Sequence, residues 1–285
     1  MRNSWKTLQP YLLATPQVLT IAGFLIVPIA AIAIVSFWEF TGYSMSPGFT
    51  LENYRDIFSS SVYLNTYLNT FKFVGIVWFL CLLIGFPIAY FLAFHVESLR
   101  WQVALFLVCT IPFLTSNVIR TISWLPFLGT QGLINQTLIW LGLVDRPIEM
   151  FLYSDFAVVL ALVHLYTLFA IVPIFNSLMR IDRALVAAAY DAGASTFQVM
   201  QEVIVPLAKS GIAIASIFIV TLVMGEFVTV RMMGGGQVAS IGLLIRTQIG
   251  RLQYPFAAAN AVVLLAVTLL LVTGILRAVD IRQEL

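Results

Sequence analysis

Six apolar runs, each long enough to cross a lipid bilayer as a helix, leave this chain few ways to fold. A helix rises about 1.5 Å per residue, so about 20 apolar residues cross about 30 Å of hydrocarbon. Such runs are expected at 12–37, 67–94, 103–119, 155–178, 211–230 and 256–276. Backbone amides and carbonyls cannot go unpaired in lipid, so the runs must be helices, and the alternating pattern of a membrane β-barrel is absent. The expectation is an all-α membrane protein with six transmembrane helices. Composition agrees: 61% of residues are hydrophobic and 10% charged, against about 25% charged in a soluble domain. No room is left for a separate soluble enzyme domain. A net charge of +2 gives no reason to expect nucleic acid as a partner. Cys81 and Cys109 both sit within apolar runs and read as packed thiols. Arg2 and Lys6 precede a run of spanning length, longer than the roughly 7–15-residue core of a cleavable signal.

An even number of spans puts both termini on one side. Eight Lys and Arg fall on that side (Arg2, Lys6, Arg100, Arg180, Arg183, Lys209, Arg277, Arg282) and six on the other (Arg55, Arg120, Arg146, Arg231, Arg246, Arg251). The positive-inside rule thus leans towards cytoplasmic termini. Lys72 lies near the outer end of the second run, where its stem can snorkel to the headgroups. Pro28, Pro87, Pro112 and Pro173 lie inside the runs. They read as packing kinks, or, at Pro112 and Pro173, as bends that splay helices around a path. No internal repeat supports an inverted-repeat secondary transporter.

Between the fourth and fifth runs lies residues 180–212, RIDRALVAAAYDAGASTFQVMQEVIVPLAKSGI. Its residues predict two short helices and a turn. Asp182 can cap a helix through Ala192, in which the alanines supply propensity. Gly193 suits a left-handed position, and Ser195 with Gln198 forms a capping box that opens a second helix through Val203. Pro206 is expected to end that helix before the fifth span. Small side chains at Ala187, Ala188 and Ala189 would admit another protein close to the backbone. The plainer alternative is an amphipathic connector on the membrane surface.

Three alanines, a gap, Gly193, then Val203, Val205 and Pro206, placed before the penultimate span, resemble the "EAA" loop of permease subunits of binding-protein-dependent ABC importers. The resemblance implies a type I ABC importer permease fold. It also implies that Ala187, Ala188, Ala189, Asp191, Gly193, Ala194, Val203 and Pro206 dock in a groove of an ATPase subunit. The family's motif usually begins with Glu where this chain has Ala187, and Val203 and Val205 replace the commoner Ile and Leu. Docking is therefore expected to rely on shape, Asp191 and backbone contacts. The chain has no P-loop of its own, which needs Gly-Lys-Ser/Thr. Its lysines follow Trp5, Phe71 and Ala208. No cofactor or metal is expected on this chain; ATP and Mg belong to the partner ATPase.

Further segments resemble permeases of the spermidine/putrescine type: FTLENY at 49–54, PFLTSNVIRTISWLPFLGTQGLIN at 112–135, MGEFVTVRMMGGG at 224–236 and YPFAAAN at 254–260. That resemblance implies a heterodimer of related permeases, two ATPase subunits and a periplasmic substrate-binding protein in the bacterial inner membrane. The chain then divides into residues 1–66 (first helix and periplasmic loop), a core at 67–277 carrying the coupling loop, and a tail at 278–285.

Candidate path residues are Ser116, Asn117, Arg120, Trp124, Glu226, Phe227, Gly234 and Gly235. Polar groups facing lipid are costly, so these should face the bundle interior or a wet cavity. Two readings of Glu226 stand: a counter-charge for a polyamine, or a structural partner of Arg231 or Arg120. His164 and Tyr166 read as packing residues bonded to a neighbouring helix. Gly234–Gly236 reads as a gate or a turn. An unpaired Arg231 would repel a polycation, which keeps an anionic or zwitterionic solute open. An ATP-independent transporter would need carboxylate relays deep in the bilayer, and Glu226 alone supports that poorly. No HExxH, GxSxG or paired intramembrane carboxylates suggest an enzyme.

Overall fold

The computed structural model describes residues 13–42 and 44–279. Arg2, Lys6 and Arg282, the start of the first run and all but the first two residues of the expected tail lie outside these residues. Helix α1 (Leu13–Val35) leads into a two-residue antiparallel ladder of β1 (Glu39–Phe40) and β2 (Met45–Ser46), a small departure from the all-α expectation. Helices α2 (Glu52–Ser59), α3 (Ser61–His95), α4 (Leu99–Leu114), α5 (Asn117–Ser123) and α6 (Leu133–Trp140) follow. Then come α7 (Asp155–Leu178), α8 (Arg183–Asp191), α9 (Thr196–Leu207), α10 (Lys209–Met224), α11 (Val228–Gly234), α12 (Ile241–Gly250) and α13 (Tyr254–Ala278). Among the described residues four helices are long and apolar enough to span, or six if each of two bent pairs is one span.

Two expected spans are corrected. The third does not run straight to Ile119: the chain breaks after Leu114 and bends by 90° into Asn117–Trp140. Pro112 sits in the tight turn Ile111–Leu114, and the Ser116 hydroxyl accepts from the Val118 amide at 3.3 Å, starting a new helix in a new direction. The fifth ends at Met224 rather than Val230, because Gly225 and Glu226 turn the chain and Val230 belongs to α11.

The chain forms two compact units: one up to Leu64 with Ile245–Leu265, the other Asn65–Leu244 with the residues from Ala266 on. In the first, the Asn53 amide donates to the carbonyls of Ser36 and Trp38 at 2.9 and 3.0 Å, and Tyr54 meets the buried Ser36 hydroxyl at 2.6 Å. The FTLENY segment therefore clamps the end of α1. In the second, α7 is the central helix, burying Val158, Leu162, Leu165, Ile174 and others. Lipid gives apolar side chains no reason to leave it, so membrane helices associate through close packing of small residues. Here Gly85 of α3 lies against Ala170, and Gly211 of α10 lies against Ser177 and the Pro173 carbonyl. A Cβ at Gly85 would come within 2.6 Å of the Ala170 Cβ.

Gly85→Leu is expected to lower unfolding free energy by about 1–3 kcal/mol through overpacking. At Gly75 on the same helix a Cβ would meet nothing within 4 Å, and Gly75→Leu should stay near neutral. Denaturation in detergent micelles compares the two.

Candidate coupling loop and solute path

The loop is built as its residues dictate. The Asp182 carboxylate accepts from the Ala184 amide at 2.9 Å and opens α8. Gly193 closes it with φ +86°, a conformation that costs a side chain, while nothing lies within 4 Å of where a Cβ would stand. The Ser195–Gln198 capping box forms and starts α9. One detail differs from expectation. The helix does not stop at Val203 but runs to Leu207 through a wide π turn at Met200–Ile204, and the 68° break falls at Ala208. The wider turn gives the Pro206 ring room beside the preceding carbonyls.

Ala187, Ala188, Asp191 and Gly193 are exposed, Ala189, Ala194 and Val203 half-exposed, and Pro206 exposed. Around them stand exposed Leu185, Tyr190 and Phe197, while Val199, Ile204 and Ala208 are buried and anchor the loop. Arg183 ties it to the end of α3 by donating to the Ala93 carbonyl at 3.1 Å. Sequence reasoning had no purchase on that bond, which links residues 90 apart.

The expected path residues lie on or beside α5 and α11. Around α5, α7 and α11 a polar cluster forms. Arg120, 7% exposed, donates through Nη2 to Asn117 Oδ1 at 2.5 Å, and its Nε has no hydrogen-bond partner among the described residues. Thr121 meets Thr229 at 3.4 Å, joining α5 to α11. Trp124 Nε1 donates to His164 Nδ1 at 3.1 Å. Tyr166 donates to Glu226 Oε2 at 2.5 Å, and the Thr229 amide donates to Glu226 Oε1 at 2.9 Å. Phe227 stands exposed beside that carboxylate, and Ser116 caps α5.

Of the two readings of Glu226, the structural pairing with Arg231 or Arg120 does not form: a tyrosine and an amide hold it. Its position just ahead of α11 lets it cap that helix, which is where an acceptor is most stabilising. The one ion pair among the described residues is Lys72–Asp155 at 2.6 Å, so Lys72 is paired rather than simply snorkelling. Exposed Arg231 has no carboxylate partner among them. Gly234 and Gly235 make a packed turn: a Cβ on Gly234 would strike Val238, and one on Gly235 the Tyr153 ring.

His164 and Tyr166 do bond neighbouring elements, and both belong to the cluster. Sequence reasoning also passed over Asn135. Fully buried, it donates to the Gly129 and Ile148 carbonyls at 3.1 Å and accepts from the Ile148 amide at 2.7 Å, pinning the chain beyond the 90° bend. An amide in an apolar run after two glycines was the available signal.

Tyr166→Phe should lower stability by about 1–3 kcal/mol, because a half-buried carboxylate loses one of its two donors. Thermal unfolding of the purified variant measures the loss.

No family model matches the chain. It is 34% identical over 217 residues, 76% of its length and 74% of the relative's, to the spermidine/putrescine transport system permease protein PotB of Salmonella typhimurium (strain SL1344). It is 33% identical to the protein of that name from Haemophilus influenzae, over 90% of this chain and 88% of the other. A chain of a bacterial ABC transporter involved in the import of the acidic polysaccharide alginate shares its fold, with a TM-score of 0.72 at 20% identity over 97% of this chain and 98% of that one.

Proposed function

Because the chain belongs to the ABC importer permeases of the spermidine/putrescine type, we propose that it carries a polyamine-like solute from a periplasmic binding protein to the cytoplasm by alternating access. The observation that carries the reading is the relation to PotB over most of the chain, joined to the capped, exposed loop of α8 and α9. In this reading the loop lies on the cytoplasmic face of the bacterial inner membrane, as do both termini. Residues 1–66 supply the first helix and a periplasmic loop, 67–277 the permease core, and 278–285 a cytoplasmic tail. A second, related permease completes the path. Two ATPase subunits bind ATP and Mg, and their closure reaches the spans through the loop.

Ala187, Ala188, Ala189, Asp191, Gly193, Ala194, Val203 and Pro206 form the docking surface of this proposal. No charged pair from position 187 supports it, so shape must. Gly193→Asp, which puts a charge on the exposed turn of the docking surface, should cut co-purification of the ATPase at least tenfold. Gly193→Asn and Gly193→Asp both tolerate that conformation, so Gly193→Asn should retain more and isolates the added charge, while β-branched Gly193→Val, which the turn excludes, should lose as much as Gly193→Asp. Co-purification unchanged in Gly193→Asp and Gly193→Val would defeat the loop's assigned role.

For the solute, Glu226 offers a carboxylate with lone pairs beyond the two already used. A second reading has one specific observation behind it: Arg120 is buried and, among the described residues, has no carboxylate partner and no hydrogen bond at Nε. Such a group suits the anionic end of a zwitterion. Labelled spermidine uptake into proteoliposomes of the assembled transporter separates the two. Glu226→Gln should lower it about tenfold; unchanged uptake in that variant, with loss of zwitterion uptake in Arg120→Gln, would favour the second reading.

A further inference from the structure

Helix α10 has two working faces, and only one belongs to the machinery described so far. At about 100° per residue, Gly211, Ile214 and Phe218 share one face, which lies on α7 and lines a cavity of about 680 Å³. Lys209, Ala213, Ser216 and Val220 share the opposite face. They line a separate groove of about 350 Å³, closed on its other sides by Trp78 of α3 and Ile275 of α13. The indole N–H of Trp78 is already bonded to the Ser216 hydroxyl at 2.8 Å, and that hydroxyl donates in turn to the Ile212 carbonyl at 2.7 Å. The polar groups of the wall are thereby satisfied from within, and the groove presents an apolar surface.

We propose that this groove holds one anionic phospholipid of the cytoplasmic leaflet, its acyl chain along α10 and its phosphate on Lys209. From Lys209 to Val220 is eleven residues, about 16 Å of helix, or about half of the hydrocarbon thickness. A groove that begins at a cation and ends near the bilayer midplane has the length and polarity of one lipid leaflet. The cation at its mouth is exposed and has no carboxylate partner among the described residues. Basic pockets between spans on the cytoplasmic side recognise acidic headgroups in this way. The apolar wall argues against a water-filled role, and none of the candidate path residues lines this groove.

The inference rests on the orientation given under Proposed function. The assembled transporter, in nanodiscs of phosphatidylglycerol and phosphatidylcholine, is the sample. Native mass spectrometry should find one phosphatidylglycerol retained on this subunit in preference to phosphatidylcholine. Lys209→Gln should weaken that retention about fivefold, the effect of one basic residue near an anionic surface. Ala213→Phe, which fills the groove, should abolish it for both lipids. Equal retention of the two lipids in the unaltered protein, unaffected by Lys209→Gln, would overturn the proposal. So would a photo-reactive side chain at Ile275 that cross-links to another subunit instead of lipid. Labelling of Lys209→Cys by an impermeant thiol reagent applied from the periplasmic side would instead sink the orientation itself.

Discussion

Helix α7 can be approached closely at two places, and the second unit is organised around that fact. Ala170 faces Gly85 of α3, and Ser177 with the Pro173 carbonyl faces Gly211 of α10. In lipid, dispersion contacts must do what expulsion from water does in a soluble core. They fall off steeply with separation, so three helices gain most where a glycine lets backbones nearly touch. The polar cluster on α5, α7 and α11 and the loop beyond α7 are both positioned by this packing. Glycine is used here for its missing volume, at Gly193 for its backbone freedom; the two roles are chemically distinct.

The helical type of the spans was legible because length and polarity alone decide it, whereas the expected six stand, among the described residues, as four long helices and two bent pairs. The fourth run, 155–178, matches α7 residue for residue, since Ser154 caps it in the open. Boundaries failed where a local polar group overruled the hydrophobic run. Ser116 begins a helix inside an apolar stretch, and Glu226 begins another; in both cases the cap redirects the chain before the apolar residues are exhausted. The loop was legible down to the capping box because its signals are contained within four residues. Arg183 on Ala93 and Asn135 on Ile148 were not, since each partner is set by packing rather than by sequence neighbours.

The candidate site shows the same division. Residue types pointed to Arg120, Trp124 and Glu226, and the fold places them on adjoining elements around α7. What they touch could not be read from the chain. An arginine and a glutamate in one apolar neighbourhood invite an ion pair, yet each takes a neutral partner: Asn117 for Arg120, Tyr166 for Glu226. The outcome is a cluster in which the two side chains are held by neutral partners rather than by each other.

No atom lies within 4 Å of where a Cβ of Gly193 would stand, and its left-handed turn is maintained by the bonds of Gly193 to Tyr190 and Ala194 to Ala189 and by the capping box next to it. The shape is thus an internal property of about fifteen residues. A motor subunit docking as proposed would find this surface already ordered, and association would forfeit little conformational entropy. A rigid partner can dispense with a charged contact that a floppy one would need, which is how a loop lacking its usual leading glutamate can still be a good fit.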